Sequence, residues 1–502
     1  MVHTGKPSRG CDNCRKRHIK CDEAKPECSN CLKKQLACPG YRSQFDVAWR
    51  DQNAVAERGV RRRKNALKDT SRSQVPAENP SMALFPSVPK VLTPKYEDYA
   101  ISFFMSAYVL LPRDPEFRRV SIDFLYPVWV QNEFSAVLGP AVAAVGSCLL
   151  EAWSFLQSDA PLSFSRAQYL KAITALRKKL YDDNAISDDI LMAVLLLDMY
   201  DSVRSFLTSQ PNNGPHISGI AALMENGHLP SLTSKVSQSV LLAARSTAIG
   251  RSLSNKTPVP PILLACSPAE PNPSKTIGLL LDDINIEVAS VQSAVAQMKS
   301  AQEIEPSSVS SLLAYALSVD QQLLEWEGSA PVSWLPIRVS GSDCIPFSVR
   351  NAGLYQDHCD LYENIWSAFT WNGYSCSRIR VQMAIYACTE RLSASCEYST
   401  SAIDLAIVQE LADNICATVP YCLGDRMSVA RLDDKSANYP HKKGQLIPED
   451  HHAAAAAQGG WFVAQRLAEL FALDIPLRPG QRQWIGQQLQ RVQKIYAIHS
   501  KA

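Results

Sequence analysis

Residues 11–38 read CDNCRKRHIKCDEAKPECSNCLKKQLAC, and the cysteines set their frame: Cys11, Cys14, Cys21, Cys28, Cys31 and Cys38, spaced C-x2-C-x6-C-x6-C-x2-C-x6-C. Two C-x2-C pairs, each followed six residues later by a single cysteine, make two half-units of one design. A thiolate pair at that spacing can hold one Zn²⁺ from the first turn of a helix, and tetrahedral zinc takes four ligands at about 2.3 Å. Six sulfurs are too few for two separate four-cysteine sites. They suffice for two zinc ions if two of the sulfurs are shared. Lys and Arg fill the spaces between ligands, so the stretch reads as a metal-stapled basic module.

Two other uses of six cysteines fit less well. A disulfide framework belongs to an oxidising compartment, but Met1–Gly10 is polar and gives no secretory signal, and the other nine cysteines are scattered singly. An iron–sulfur cluster would call for the C-x2-C-x2-C-x3-C-P run, which is absent.

The stretch resembles the DNA-binding domain of the fungal binuclear zinc-cluster transcription factors. The resemblance implies that the first and fourth cysteines, Cys11 and Cys28, bridge the two metals. Cys14 and Cys21 would then complete one zinc, and Cys31 and Cys38 the other. Pro26 stands where that family carries a proline between its two helices. The first zinc-bound helix is expected to start at Asp12, whose carboxylate suits a helix N-terminus. Its basic end, Arg15-Lys16-Arg17-His18-Ile19-Lys20, would enter the major groove of double-stranded DNA. By resemblance Arg17 and His18 lie nearest the bases, Arg15 and Lys20 hold phosphates, and Lys33 and Lys34 of the second half-unit are further phosphate contacts. His18 departs from the Lys or Arg more usual there, although CGG-like triplets remain the expected half-site. The family also implies a nuclear location, partners in the RNA polymerase II transcription machinery, and often control of a local pathway such as a secondary-metabolite cluster. One module covers few base pairs, so a homodimer reading two half-sites is expected.

Charge divides along the chain. The 502 residues carry 51 Lys and Arg against 49 Asp and Glu. Residues 1–75 alone hold 18 basic against 8 acidic side chains, leaving 33 against 41 for the rest. A basic head on a mildly acidic body is expected where only the head meets phosphate. Ala136–Leu150 is apolar but shorter than the roughly 20 residues of a membrane span, so no membrane segment is expected.

Residues 1–10 read as a flexible basic tail, 11–38 as the zinc-cluster domain, and 39–94 as a linker. Within the linker, Phe45, Trp49 and Val55 suit one short helix that could serve dimerisation. Arg61-Arg62-Arg63-Lys64 reads as a nuclear-import signal, an extra phosphate grip or a solvated face. From Lys95 to the end, windows of three- and four-residue apolar spacing recur and strand-like alternation is rare. Helices are expected near 96–111, 133–156, 163–181, 187–207, 217–226 and 234–253. After a proline-rich break at 257–274 they resume near 275–299, 307–327, 347–371, 377–395, 402–419, 450–471 and 479–499, with 425–448 a polar loop. The fold class is therefore mostly α: a small metal-stapled head before a large all-α domain of packed helix pairs. HISGIAALMENG at 216–227 and the closing WFVAQRLAELFALDIPLRPGQRQWIGQQLQRV are similar to the helical regulatory domain behind many zinc clusters. An alternative makes that body a ligand-sensing or partner-binding scaffold, tethered to DNA by the head.

Enzyme signatures are missing: no G-x-S-x-G, no phosphate-binding glycine loop, no G-x-G-x-x-G after a strand, no H-E-x-x-H. No catalytic residue is expected. Asp357-His358-Cys359-Asp360 tempts towards a second metal, but a helix would spread these side chains around its circumference. His216 is expected to pack or cap at its helix start, His451-His452 to stand at a helix entrance, and the lone cysteines to be buried apolar residues.

Overall fold

The computed structural model describes residues 10–40, 95–109, 121–132, 135–154, 163–182, 187–208, 214–225, 235–264, 276–393, 405–428, 436–473, 475 and 477–496. The N-terminal tail, the expected helix around Trp49 and the basic block at Arg61–Lys64 lie outside them. The chain divides into two compact units at residues 91 and 92.

The first unit holds two short helices, α1 (Asp12–Lys16) and α2 (Ser29–Leu32). Their buried side chains are all cysteine: Cys11, Cys14, Cys28 and Cys31, with Cys21 and Cys38 packed beside them. No apolar core exists here among the described residues. Something other than hydrophobic burial must hold this unit.

The second unit is helical and has one continuous core running from Phe104 to Tyr496. Its first block comprises α3 (Tyr96–Phe104), α4 (Leu125–Gln131), α5 (Leu138–Ser154), α6 (Ser163–Asp182), α7 (Asp188–Thr208), α8 (Pro215–Glu225), α9 (Lys235–Asn255) and the single turn α10 (Pro261–Leu264). The central helix α5 packs against α3, α6 and α7. Asp188 and Asp189 open α7, where carboxylates favour the positive end of the helix. The second block comprises α11 (Ile277–Ser300), α12 (Pro306–Ser329), α13 (Phe347–Gly353), α14 (Ile365–Ser393), α15 (Leu405–Leu423), α16 (Glu449–Ala454), α17 (Gly460–Ala472) and α18 (Gln481–Ile495). Thr276 caps α11 by accepting from the Leu279 amide at 3.4 Å, and Pro306 opens α12, where a missing N–H is no loss. Helices α11, α12 and α14 pack mutually; Trp326 of α12 stacks on Tyr374 of α14, and Trp371 meets both rings edge to face.

Two expectations are corrected. The window 347–371 is not one helix. It contains α13, then a strand, then the start of the 29-residue α14, which also absorbs the expected helix at 377–395. That strand, β2 (His358–Leu361), pairs antiparallel with β1 (Ile337–Ser340), with Arg338 opposite Asp360. The cross-strand pair is bidentate, at 2.9 and 3.1 Å. Successive side chains of a strand point to opposite faces, so His358 and Asp360 share one face and Cys359 takes the other, with Asp360 committed to Arg338. The stretch 357–360 is thus part strand, where a helix was expected.

Two π-helical turns, Met105–Val109 and Ala455–Gly459, meet in the core, where Gln458 Nε2 donates to the Tyr108 carbonyl at 3.3 Å. A wider turn leaves carbonyls without their helical donor, and this side chain supplies one. His451 and His452 do stand in a helix, α16. No helix among the described residues is long and apolar enough to cross a membrane.

Helices α3 and α5 touch at Gly146, where an added Cβ would lie 2.4 Å from the Ala100 carbonyl oxygen. Gly146→Ala should therefore destabilise the body by about 1–3 kcal/mol through forced separation of the helices. A thermal melt of the full-length protein showing an unchanged midpoint would refute this. His451 gives a pH dependence. Its Nε2 bonds the Tyr421 carbonyl at 3.1 Å, and burial, then neighbouring His452, hold its imidazole down at about 3. A histidine depressed when folded takes up its proton only on unfolding, so stability falls as pH drops from about 6.5 towards 3. The contribution reaches about 2 kcal/mol near pH 5. Melts between pH 7 and 5 should shift less in His451→Gln than in the parent protein.

Candidate metal centre and nucleic-acid face

The six cysteines gather as two overlapping quartets. Cys11, Cys14, Cys21 and Cys28 form one; Cys11, Cys28, Cys31 and Cys38 form the other, and within each all sulfurs lie within 4.8 Å. Sulfur–sulfur distances are 3.7 Å for Cys11–Cys28, Cys11–Cys31 and Cys14–Cys28. A zinc tetrahedron with bonds of about 2.3 Å has edges of about 3.8 Å. The spacing therefore fits zinc, and it is far too long for disulfide bonds.

The two cysteines common to both quartets have a specific position in the backbone. Cys11 caps α1 and Cys28 caps α2, each sulfur accepting the amide of the cysteine three residues on, at 3.5 and 3.4 Å. An N-cap sulfur faces the unpaired amides of its helix, which favours the thiolate that a metal needs. Without a cation the rest of the environment opposes ionisation. Cys11 is pushed up to about 12 despite the Cys14 amide, because burial and the thiols of Cys14 and Cys31 disfavour its charge. Cys28 is raised as well, chiefly by burial. Cys38 is held below the usual thiol range by the amides of Cys28 and Gly40. A pair of divalent ions reverses that balance and draws the protons off.

The half-units repeat at an offset of 17 residues with matching hydrogen bonds. Ile19 N donates to Cys14 O and Leu36 N to Cys31 O, both at 3.0 Å. His18 and Gln35 each turn the chain at the helix end with φ of 53° and 52°. Asn13 Nδ2 donates to the Ala37 carbonyl at 3.0 Å, and Asn30 Nδ2 to the Lys20 carbonyl at 2.8 Å. Thus each half-unit's asparagine grips the backbone of the other. Sequence reading named neither asparagine; their equal offset from the cysteines was the available signal. Asp22 adds a clamp by accepting the Ser29 amide and hydroxyl, which lowers its own carboxyl.

Helix α1 is shorter than the expected basic helix: Arg15 and Lys16 lie in its last turn, Arg17 is its C-cap, and His18 and Lys20 follow it. Lys16, Arg17, His18 and Lys20 are exposed, as are Lys33 and Lys34 beyond α2. Arg15 is half-buried and paired with Asp12 at 2.7 Å.

Residues 9–46 match the family model of the fungal Zn(2)-Cys(6) binuclear cluster domain. These residues are a binuclear zinc-cluster domain. It binds two zinc ions, and the family it represents is one of DNA-binding transcription factors. No curated protein and no solved structure matches the chain. The helical body is consistent with the region that follows such a cluster.

Elsewhere the expected incidental residues are placed by packing. His216 opens α8 and meets the Tyr169 hydroxyl at 3.0 Å and Asp201 at 3.1 Å. Cys148, Cys359, Cys376, Cys388, Cys416 and Cys422 are buried. Burial pushes Cys148 and Cys416 up to about 12, so these thiols stay protonated at neutral pH.

Because Cys11 serves both quartets and Cys38 only one, their loss should differ. Native mass spectrometry should count two zinc ions on the parent protein, one on Cys38→Ser, and none stably held on Cys11→Ser. Equal zinc content in the two variants would refute the sharing.

Proposed function

We propose that the chain is a nuclear, sequence-specific regulator of RNA polymerase II genes that binds CGG-like half-sites as a homodimer. The observation that carries this reading is the unequal charge of two otherwise equivalent half-units. Arg15, Lys16, Arg17, His18 and Lys20 on the first correspond to Leu32, Lys33, Lys34, Gln35 and Ala37 on the second. The backbone repeats, but of the cations only Lys16 and Arg17 have counterparts, in Lys33 and Lys34; Arg15 and Lys20 face Leu32 and Ala37. The α1 half-unit is therefore the one to enter the major groove, with Arg17 and His18 towards base edges. Lys16, Lys20, Lys33 and Lys34 take phosphates, which position the module and give salt-dependent affinity. Arg15 reaches a phosphate only by exchanging Asp12 for it.

Zinc binding contributes the folding free energy of the head, on the order of 10–16 kcal/mol for such small metal modules. The homodimer follows from size, since one helix end reads too few base pairs to select a site in a genome. The helical body would hold the regulatory role, and the block Arg61–Lys64 the import signal. A genome-wide binding profile identifies the pathway, a clustered set of neighbouring genes being the expected result.

Binding-site selection separates the roles. Cys14→Ala should abolish specific binding while the helical content of the body persists by circular dichroism. Arg17→Ala should relax base preference at a cost of about 1–3 kcal/mol on the preferred site. Lys20→Ala should weaken all sequences alike and reduce the salt slope by about one. A retained footprint in Cys14→Ala, or a reversed pattern for Arg17 and Lys20, would overturn the assignment.

A further inference from the structure

The backbone that carries His18 is fixed by the metal module. The His18 amide donates to the Arg15 carbonyl at 3.1 Å, the Arg17 amide to Asn13 O at 3.2 Å and the Ile19 amide to Cys14 O at 3.0 Å. Cys14 belongs to the first cysteine quartet, so the chain on both sides of His18 is tied within a turn of the cluster. His18 itself stands at φ 53°, just past the end of α1, and is exposed. Its imidazole has no hydrogen bond or ion pair among the described residues, whereas Arg15 nearby is taken by Asp12. The position has a rigid root and an uncommitted ring.

What such a ring can tell apart depends on how many groups it offers to a base edge at once. In the major groove guanine shows two acceptors, O6 and N7, while adenine shows N7 as an acceptor and N6 as a donor. A guanidinium or an ammonium has donors enough to meet O6 and N7 of guanine together, and at adenine it would set a donor against the N6 amine. A neutral imidazole has one N–H, and its second nitrogen is a lone pair pointing elsewhere. Of the two purine groups, N7 lies on the outer side of the groove, beside the purine's own backbone. A side chain with only two rotatable bonds, rooted at the end of α1, meets it first. N7 is an acceptor in both purines, and pyrimidines have a carbon in its place. The backbone does not itself demand histidine here, because Gln35 takes the equivalent place of the second half-unit at φ 52°.

We propose that His18 makes the base it faces a purine position rather than a guanine position: its single N–H donates to N7, and guanine and adenine are accepted alike. This rests on the reading of the α1 end as the base-contacting end and narrows what that end selects. Arg17, with its fork of donors, keeps the neighbouring position strict for guanine. Each half-site then admits two sequences where a pair of arginines would admit one, and the discrimination lost at that base has to come from the second half-site.

Zinc-loaded full-length protein is put through binding-site selection at pH 8, above the ordinary imidazole range. The position whose preference changes in His18→Ala is the one His18 faces. There the parent should return guanine and adenine within about threefold of each other and pyrimidines about tenfold less often. His18→Arg should narrow the position to guanine, and His18→Asn should move it to adenine, whose N6 and N7 an amide meets together. Two zinc ions on each variant by native mass spectrometry show that the head is intact. On the selected duplex, a 7-deaza purine puts a C–H where N7 stood; it should weaken the parent by about three- to tenfold and make no difference to His18→Ala. A guanine preference of about tenfold or more in the parent, or undiminished binding to the 7-deaza duplex, would overturn the proposal while leaving base reading by α1 in place. A parent with no positional preference, or one whose preference neither Arg17→Ala nor His18→Ala alters, would remove that reading and the proposal with it.

Discussion

Cys11 and Cys28 each do three things at once: end an approach segment, cap a helix and hold a sulfur in common to two metal sites. Everything in the head follows from that coincidence. With Ile19, Leu32 and Leu36 all exposed, residues 10–40 have only these sulfurs at their centre, and the protons on Cys11 and Cys28 are hard to remove without a cation. The metal pair is at once the core and the charge balance. Because each shared sulfur also caps a helix, the direction of α1 is set by the metal itself, and with it the direction in which Arg17 and His18 project.

The paired asparagines extend the same logic. Metal ligation fixes where the helices begin, while Asn13 and Asn30 fix where the opposite chain ends lie. A near-twofold scaffold then carries an unequal set of charges. Symmetry supplies the rigidity, and the cations Arg15 and Lys20, which have Leu32 and Ala37 as counterparts, distinguish one half-unit from the other. In the body the balance of forces is the ordinary one, with a continuous apolar core and interior arginines paired to carboxylates, as in Arg378 with Asp320 at 3.1 Å.

What the sequence disclosed depended on range. The cysteine frame was legible because metal ligation imposes fixed short spacings, and the helices were legible because amphipathic periodicity is local. The sheet was not, since IRVS and HCDL are four residues each, too short for alternation to register, and the arginine–aspartate pair that joins them spans 22 positions. The break at Gly353 was missed because apolar residues on both sides keep near-helical spacing. A cavity of about 170 Å³ among helices α9, α11, α14 and α17 was invisible for another reason. Arg380 and Arg466 stand 86 residues apart, Asp282 further still, and only the packing of four helices brings them to one place.

The bond from Gln458 to Tyr108 bridges 350 residues, whereas the head closes all its contacts within a few dozen. On the ribosome these two units would live by different clocks. The head can take up metal as soon as its own stretch emerges, but the body must wait with its apolar faces uncovered until nearly the last helix is made. A nascent chain of this kind would spend most of its synthesis in need of a chaperone, and a premature stop before residue 458 would leave a finished DNA-binding head joined to an unfinished body.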